Sequence, residues 1–425
     1  MMRGLLKASC LGLLCGVTMH ASLQGEDAPT FRGANRTSVY DGKKLVDSWP
    51  EQGPKLLWET AGAGRGYASV AISGGKFYTL GDGLSTAEDK DEYLTCFDLN
   101  TGKQLWKTKT GEAWNSGQAS WQSSRGTPTV DGNSVYVITP FGKLFCCSTA
   151  NGSVEWSKDF KAEFGGNKAD GWGFSESPLI DGDMLLCTPG GKDACMVAMN
   201  KKTGNVLWKC PHADDRGAGH ASIVISNVGG TKVYVTTTGS GGIGVSKDGK
   251  LLWDYPIDKT TAVIPTPIVK DDLVYLPFGY GRGSALVRQV PGPNGAVKSE
   301  VVYDLNTKLA NKHGGVVRVG DYVFCDGDDR GIPMCAEMKT GEIKWQQRGP
   351  GKGSAVVIAG DGKLFIQFQD GTLVLARATA DKYEELGKFT LPGSGERPSW
   401  AHPVIVDGKL YVRQQDKILC YDISA

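Results

Sequence analysis

The chain has 425 residues, with 47 Lys and Arg against 46 Asp and Glu and a formal net charge of +1. So even a balance leaves no electrostatic footprint for nucleic acid or for an anionic membrane surface. The 59 glycines fit a chain of many short strands and tight turns, and beyond the first residues no apolar run is long enough to cross a bilayer.

The N-terminus reads as an export signal. Arg3 and Lys7 lead an apolar stretch from Ala8 to Val17, and cleavage is expected between Ala21 and Gly25. Cys10 follows Lys-Ala-Ser and Cys15 follows Gly-Leu-Leu, neither of them a good lipobox. The expected location is therefore periplasmic or secreted, without lipid attachment. Residues 1–25 are assigned to the signal peptide, 26–53 to an irregular polar segment and 54–425 to one repeat domain.

Pro54 to Ala61 (P-K-L-L-W-E-T-A) looks like the last strand of a repeat whose first three strands are missing. Those strands stand at the other end of the chain, where H-P-V-I-V-D-G-K-L-Y-V and K-I-L-C-Y-D-I run from His402 to Ile423. Between the ends lie seven more copies, at about 67–111, 125–160, 175–211, 220–257, 264–305, 313–349 and 354–392. Five carry Gly-x-x-x-Trp, ending at Trp106, Trp156, Trp208, Trp253 and Trp345, so the spacings are 50, 52, 45 and 92, the last being twice 46. A period of this size is the signature of a blade-by-blade architecture. The copy at 264–305 has Val302-Tyr303 in place of the Trp, and the copy at 354–392 is expected to substitute Phe389. The prediction is all-β: a single eight-bladed β-propeller of four-stranded antiparallel blades. The N-terminal strand joins the C-terminal blade, so that no terminal edge is left unpaired.

The tryptophans are expected to dock between blades. Four of the nine cysteines in the mature chain, Cys96, Cys146, Cys335 and Cys420, share one repeat position with Ala198, which marks a small buried slot rather than a disulfide framework. Whether Cys187 pairs with Cys195, or Cys325 with Cys335, is left open by the sequence.

The pattern (S/T)-P-x-x-x-(D/G)-x-x-(V/L)-Y, followed by a strand ending near A-x-(D/N)-x-x-T-G-x-x-x-W, resembles the pyrroloquinoline-quinone (PQQ) enzyme repeat and covers nearly all of the mature chain. The resemblance implies the eight-bladed fold. It does not fix a function, because the repeat occurs in quinoprotein alcohol dehydrogenases, in the non-enzymatic assembly factor BamB and in BamB-like secreted propellers, which this chain resembles most. Quinoprotein alcohol dehydrogenases carry an adjacent-cysteine disulfide beside their cofactor. Here Cys146-Cys147 falls in the small strand slot, and consecutive strand residues point to opposite faces. No Cys-x-x-Cys-His is present for a haem, Asp326, Asp328 and Asp329 do not match a calcium loop, and no Ser-His-Asp or zinc spacing stands out. No metal site and no cofactor are expected; PQQ with calcium, in an alcohol or sugar dehydrogenase, is the alternative, in which Glu176 or Asp170 could serve as base.

The turns inside the repeats differ by face. One face carries short turns such as V-D-G, N-T-G and K-T-G. The other carries long, varied loops, including Glu112 to Ser124 with Trp114 and Trp121, Lys161 to Phe174 with Trp172, and Gly279 to Ser284. Binding residues concentrate on such loops. The positions that open each blade on the long-loop face are Tyr67, Arg125, Ser175, His220, Ile264, His313, Gly353 and Trp400. Two residues on they are Ser69, Thr127, Ser177, Ser222, Thr266, Gly315, Ala355 and His402, mostly small or hydroxylic. The second set reads as structural. The first is chemically diverse and is expected to surround the channel mouth. The candidate ligand site is therefore Tyr67, Arg125, His220, His313, Trp400 and His402, with Trp172 and Glu176 at the rim. The expected role is binding or scaffolding, as a monomer, of a small polar or carbohydrate-like ligand or of another exported protein.

Overall fold

Most repeats carry a tight turn between third and fourth strands whose bonds the sequence dictates. In the first, Asp98 Oδ1 accepts from the Asn100 and Thr101 amides (3.1 and 2.9 Å) and from Thr101 Oγ1 (2.7 Å). Gly102 then takes the left-handed φ of 68° that reverses the chain. In the computed structural model, which describes residues 27–40, 42–83 and 90–425, such turns link strands into eight separate four-stranded antiparallel sheets arranged as a ring. The signal peptide assigned to 1–25 lies outside the described residues.

Blade 1 is built from Ala71–Ser73, Lys76–Asp82, Asp91–Asp98 and Gln104–Glu112, and blades 2 to 7 follow in the same order along the chain. Blade 8 takes Val404–Val406, Lys409–Gln414 and Lys417–Asp422 from the C-terminus and Lys55–Thr60 from the N-terminus. The register across the closure runs from Lys55 opposite Asp422 to Thr60 opposite Ile418. Buried Arg413 bolts this joint to blade 1: Nη1 donates to Ala68 O, Thr79 Oγ1 and Leu80 O (3.0, 2.7 and 2.8 Å), and Nη2 donates to Gly64 O (2.9 Å).

In every blade the pairing of third and fourth strands slips beside the repeat tryptophan or the residue in its place, and in blades 1 and 5 it slips a second time. That bulge bends the outer strand and turns the indole toward the next blade. There it covers the neighbour's turn glycine: a Cβ on Gly152 would lie 2.5 Å from the Trp106 ring, and one on Gly204 would lie 2.9 Å from Trp156. The indole Nε1 of Trp106, Trp156 and Trp345 donates to the carbonyls of Thr149, Lys201 and Thr379 (3.2, 3.2 and 2.8 Å). Turn glycine and inter-blade tryptophan are two halves of one contact.

The shared cysteine position is explained by the same geometry. Cys96, Cys146, Ala198, Cys335 and Cys420 face Trp106, Trp156, Trp208, Trp345 and Trp58 across the strand pair. In blade 4 the facing residue is Gly244, where a Cβ would lie 2.2 Å from the Trp253 ring. Only small side chains fit beneath an indole. In blade 5 the slot widens to Leu286 and its partner is Tyr303, whose hydroxyl donates to Met338 O (3.1 Å) as the indole would. Blade 7 corrects the sequence alignment. Its slot holds Leu375, the facing residue is Gly387 rather than Phe389, and Phe389 falls two residues further along the strand. Trp49, from the N-terminal segment, packs onto Gly387 and against Phe365 and Phe389, replacing the absent indole from outside the repeat. The nine described cysteines are all buried and free, so neither of the two pairings left open is made.

The N-terminal segment also fills the axis. Asp27 starts at the short-turn face, accepting from Ser73 Oγ (2.9 Å), and the segment returns to that face at Tyr40, whose amide donates to Ala359 O (2.8 Å). Between these points it touches blades 1 and 2 through the bonds Ile72 N to Ala28 O and Val130 N to Pro29 O (2.8 and 2.7 Å). Arg36 Nη1 donates to Ser177 O in blade 3 and Ile223 O in blade 4 (3.0 and 3.1 Å). Arg32 donates to Gly314 O and Val316 O in blade 6 (3.1 and 2.7 Å). Backbone carbonyls that open the inner strands would otherwise face the channel unbonded, and the two guanidiniums satisfy them. Burial holds both arginines down, to about 10.

Candidate functional site

Because the plug enters and leaves by the short-turn face, the channel is closed from below and open at the long-loop face. What remains is a cavity of about 380 Å³ whose floor includes Phe31, set edge-on to His402 at 4.7 Å between ring centres. Its walls take in seven of the eight blade-opening residues, all but Gly353. The second set does what a repeated position should. Thr127 Oγ1 accepts from Ser69 N (2.9 Å), Ser222 Oγ from Ser177 N (3.0 Å) and Thr266 Oγ1 from Ser222 N (3.1 Å), so hydroxyls tie blade to blade around the axis.

Of the sequence-derived candidates, Tyr67, Arg125, Trp172, His220, His313, Trp400 and His402 all line this cavity. Glu176 does not. It points into the blade interior, 2% exposed, where its carboxylate accepts from Thr188 N and Oγ1 (2.7 and 3.0 Å). Strand alternation explains this: Ser175 faces the channel, so its neighbour faces away. Burial raises the Glu176 carboxyl to about 7.

Arg125 is a clamp. Nη1 donates to Ser123 O and Trp172 O (3.1 and 3.3 Å) and Nη2 donates to Trp121 O, so one guanidinium fastens the two aromatic loops together. Its charge remains at the mouth, lying 5.7 Å from the Tyr67 ring centre, with Arg397 at 5.8 Å from the same centre. Trp400 is held by its Nε1 donating to Gln369 Oε1 (3.0 Å), with His313 stacked on it at 4.4 Å and 23° and Tyr67 tilted against it at 4.9 Å. Trp121 and Trp172 meet edge to face at 6.2 Å. The sequence did not single out Phe31, Tyr280, Lys312 or Gln369. Each reaches the cavity from outside the blade-opening positions, on the plug, on a turn between second and third strands, or one residue before an opening. Asp329, noted above only for its acidic turn, is joined to Lys312 by an ion pair.

All three histidines of the cavity are kept neutral at pH 7 by burial, His220 down to about 4 and His313 and His402 to about 3. His220 Nε2 lies 2.9 Å from Asp170 Oδ2, and its Nδ1 lies 2.6 Å from Ser175 Oγ. Asp170 also accepts from Lys168 Nζ (3.3 Å) and Trp172 N (3.0 Å), and despite its burial His220 and Lys168 hold its carboxyl well below the usual carboxylate range. This chain of three side chains was missed in the sequence. Its members come from the loop before blade 3, the opening of blade 3 and the opening of blade 4, and only the ring geometry brings them together.

Calcium-bound PQQ asks for a set of oxygen ligands; the carboxylate that lines the cavity, Asp329, is engaged by Lys312. Among the described residues no group of three or more His, Cys, Asp or Glu side chains could hold a metal ion. Cys146 and Cys147 are both buried in the third strand of blade 2 and do not line the cavity.

An eight-bladed PQQ-type propeller, plugged at one end of its axis and open at the other, is the class these features define. A family model described as outer membrane protein assembly factor BamB matches residues 90–347, more than half of the chain, and the chain belongs to this family. It is similar to outer membrane protein assembly factor BamB of Burkholderia pseudomallei (strain K96243), 24% identical over 364 residues that make up 81% of this chain and 86% of that protein. It is also similar to the BamB of Yersinia pestis, 25% identical over 255 residues, 55% of this chain and 58% of that one. Among solved structures, BamB from Moraxella catarrhalis superposes with a TM-score of 0.59 at 13% identity, covering 86% of this chain and 97% of that one. Quinohemoprotein alcohol dehydrogenase from Comamonas testosteroni gives 0.63 at 13%, covering 94% and 80%. At such identities the structural matches speak for the fold alone.

Proposed function

We propose that the protein is an exported binding and scaffold propeller of the envelope, and that its long-loop face holds a small, hydroxyl-rich ligand of carbohydrate type. The observation that carries this reading is the blind cavity itself. Aromatic faces from Phe31, Trp121, Trp172 and Tyr280 stand beside neutral hydrogen-bonding groups from Thr127, Ser175, Thr261, Thr266 and Gln369. Apolar walls with a few convergent polar groups are the makings of a small-molecule site. The acidic and basic groups there are largely spent on each other or on backbone carbonyls, which favours a neutral polar ligand over a strongly charged one. The envelope location rests on the N-terminal signal and on the assembly-factor names of the relatives. The dehydrogenase alternative finds no support in the ligand set described above, and we propose that the protein works without PQQ.

The test is a thermal-shift and calorimetric screen of mono- and disaccharides against the protein and its Trp172→Ala and Tyr280→Ala variants. A sugar that raises the Tm of the parent, and binds either variant at least about tenfold more weakly, supports the site. A screen with no hit, or a hit indifferent to both substitutions, overturns it.

A further inference from the structure

We propose that Ser175 is an acyl-accepting nucleophile, with His220 as its base and Asp170 as the residue that positions that base, and that the cavity cleaves small carboxylic esters. The inference rests on the cavity being a ligand site and goes beyond binding. Three observations carry it.

The first is connectivity. Ser175 Oγ and His220 Nδ1 are 2.6 Å apart, and His220 Nε2 and Asp170 Oδ2 are 2.9 Å apart. Asp170 is an anion and accepts, so the proton of the neutral imidazole sits on Nε2 and the lone pair on Nδ1. The Ser175 hydroxyl therefore donates to Nδ1 and turns its own lone pairs outward. A nucleophile bonded to a base, which a third group holds in one tautomer, is the arrangement that nucleophilic catalysis requires; which ring nitrogen plays which part is secondary. The second is position. Ser175 and His220 both line the cavity, whereas Asp170 lies behind them with its side chain 3% exposed. The third is field. The Arg125 guanidinium lines the same cavity, donates to backbone carbonyls and has no ion-pair carboxylate among the described residues, so its positive charge is not cancelled there, and such charge favours an oxyanion.

In the step itself, Ser175 Oγ bonds to the ester carbonyl carbon while its proton passes to His220 Nδ1. The tetrahedral centre collapses, the bond to the alkoxy oxygen breaks, and that oxygen takes the proton from Nδ1 as the alcohol leaves. Water then gives a proton to Nδ1 and its hydroxyl to the acyl carbon. The bond to Ser175 breaks, its hydroxyl is restored, and the sum is ester plus water to acid plus alcohol.

Lys168 qualifies the rate. It shares Asp170 Oδ2 with His220, and with Arg125 and His313 it is among the positive or ionisable groups that face the imidazole, against the one carboxylate of Asp170. Burial, Lys168 and Arg125 hold His220 to about 4. A base that weak abstracts a proton on the order of tens of times more slowly than one near 7, on ordinary Brønsted behaviour. The wild-type protein should therefore be a slow esterase.

The experiment is covalent labelling of the full chain by a fluorophosphonate probe, read by intact mass and peptide mapping, alongside p-nitrophenyl acetate hydrolysis across pH. We expect single labelling at Ser175, none in Ser175→Ala, and at least a tenfold loss in His220→Gln. Lys168→Met should label several times faster than the parent at neutral pH, with the acid limb of its pH profile moved upward. A purely structural hydrogen-bond chain would not accelerate on losing a cation. No labelling of the parent above Ser175→Ala, labelling elsewhere, or a Lys168→Met protein that keeps its fold but is no faster would overturn the proposal. Sugar binding that survives in Ser175→Ala would leave the binding reading standing while the nucleophile failed.

Discussion

The rim and the axis of this ring are stabilised by opposite means. At the rim, one contact repeats from blade to blade: an indole over a turn glycine, with a small residue beneath it. At the axis a ring of hydroxyls ties blade to blade, but what fills the centre does not repeat. Residues 27–40 dip into the channel from the short-turn face and bond differently to each blade they meet. A repeat can supply its own packing between neighbours, but the centre of a ring is shared by all blades and must be filled by something outside the repeat. The rim contact is therefore tolerant, and blade 7 shows it losing its indole and borrowing Trp49. The axis has no such redundancy.

Deleting residues 27–61 tests that contrast at its strongest. It removes the plug and the fourth strand of blade 8 together and leaves the edge of Lys417–Asp422 unpaired. We expect no cooperative melting transition and aggregation on expression, followed by circular dichroism and light scattering. Arg36→Ala is a finer cut at the same place. It strands the buried carbonyls of Ser177 and Ile223, which Arg36 now serves, while Pro178 O keeps its bond from Thr129 Oγ1. At about 1–3 kcal/mol for each buried group left unsatisfied, a loss of more than about 3 kcal/mol is expected in chemical denaturation. Trp156→Ala at the rim should cost about 3 kcal/mol, the low end for a large aromatic, because its ring is only partly buried. An Arg36→Ala protein more stable than Trp156→Ala would reverse the ranking of axis over rim.

Buried groups at the axis and inside the blades also make stability depend on pH. His220, His313 and His402 have pKa values below the 6.5 of a free imidazole, so the unfolded chain takes up their protons first and stability falls as pH drops below about 6.5. Glu92 and Glu176 are raised from 4.5 to about 8 and about 7, so the folded chain holds their protons longer. Their contribution is present at acid pH and is lost as pH rises through 7 to 8. The two trends cross near pH 6, where the Tm should peak. Glu92→Gln should flatten the alkaline side, and a profile that keeps rising through pH 8 would contradict the assignment.

The rim was legible in the sequence because each of its parts recurs: Gly-x-x-x-Trp, the Ala/Cys slot, the orphan strand at Pro54 to Ala61. Aligning the repeats also exposed the cavity wall, since a position that varies from Arg to Ile to Trp carries no structural rule. The plug was unreadable because it has no second copy to compare with, so Asp27 to Gly53 looked merely irregular. Phe389 was misplaced because a bulge shifts the register of the outer strand, and spacing from the turn no longer counts true there. The Asp170–His220–Ser175 chain joins residues 45 and 50 positions apart that meet only across neighbouring blades.

The smallest effect expected lies in the cysteine slot, and it separates packing from chemistry most cleanly. Cys96, Cys146, Cys335 and Cys420 are buried beneath tryptophans, and burial pushes their thiols up to about 12, or about 11 for Cys420. A thiol held that high presents almost no thiolate at neutral pH, so none of the four should react with a thiol reagent until the protein unfolds. Ala198 already fills the slot in blade 3, so its backbone and indole accept a side chain smaller by one sulfur. Cys146→Ala should cost about 1 kcal/mol or less, set by the void left under Trp156, and Cys146→Leu should cost more because Leu suits the slot only where the indole is absent, as at Leu286 and Leu375. Thiol titration of the native and denatured protein, with melting curves of the two variants, measures both claims. Fast native labelling, or a Cys146–Cys147 disulfide in the mass spectrum, would mean that the slot has a redox life of its own and that packing does not account for it.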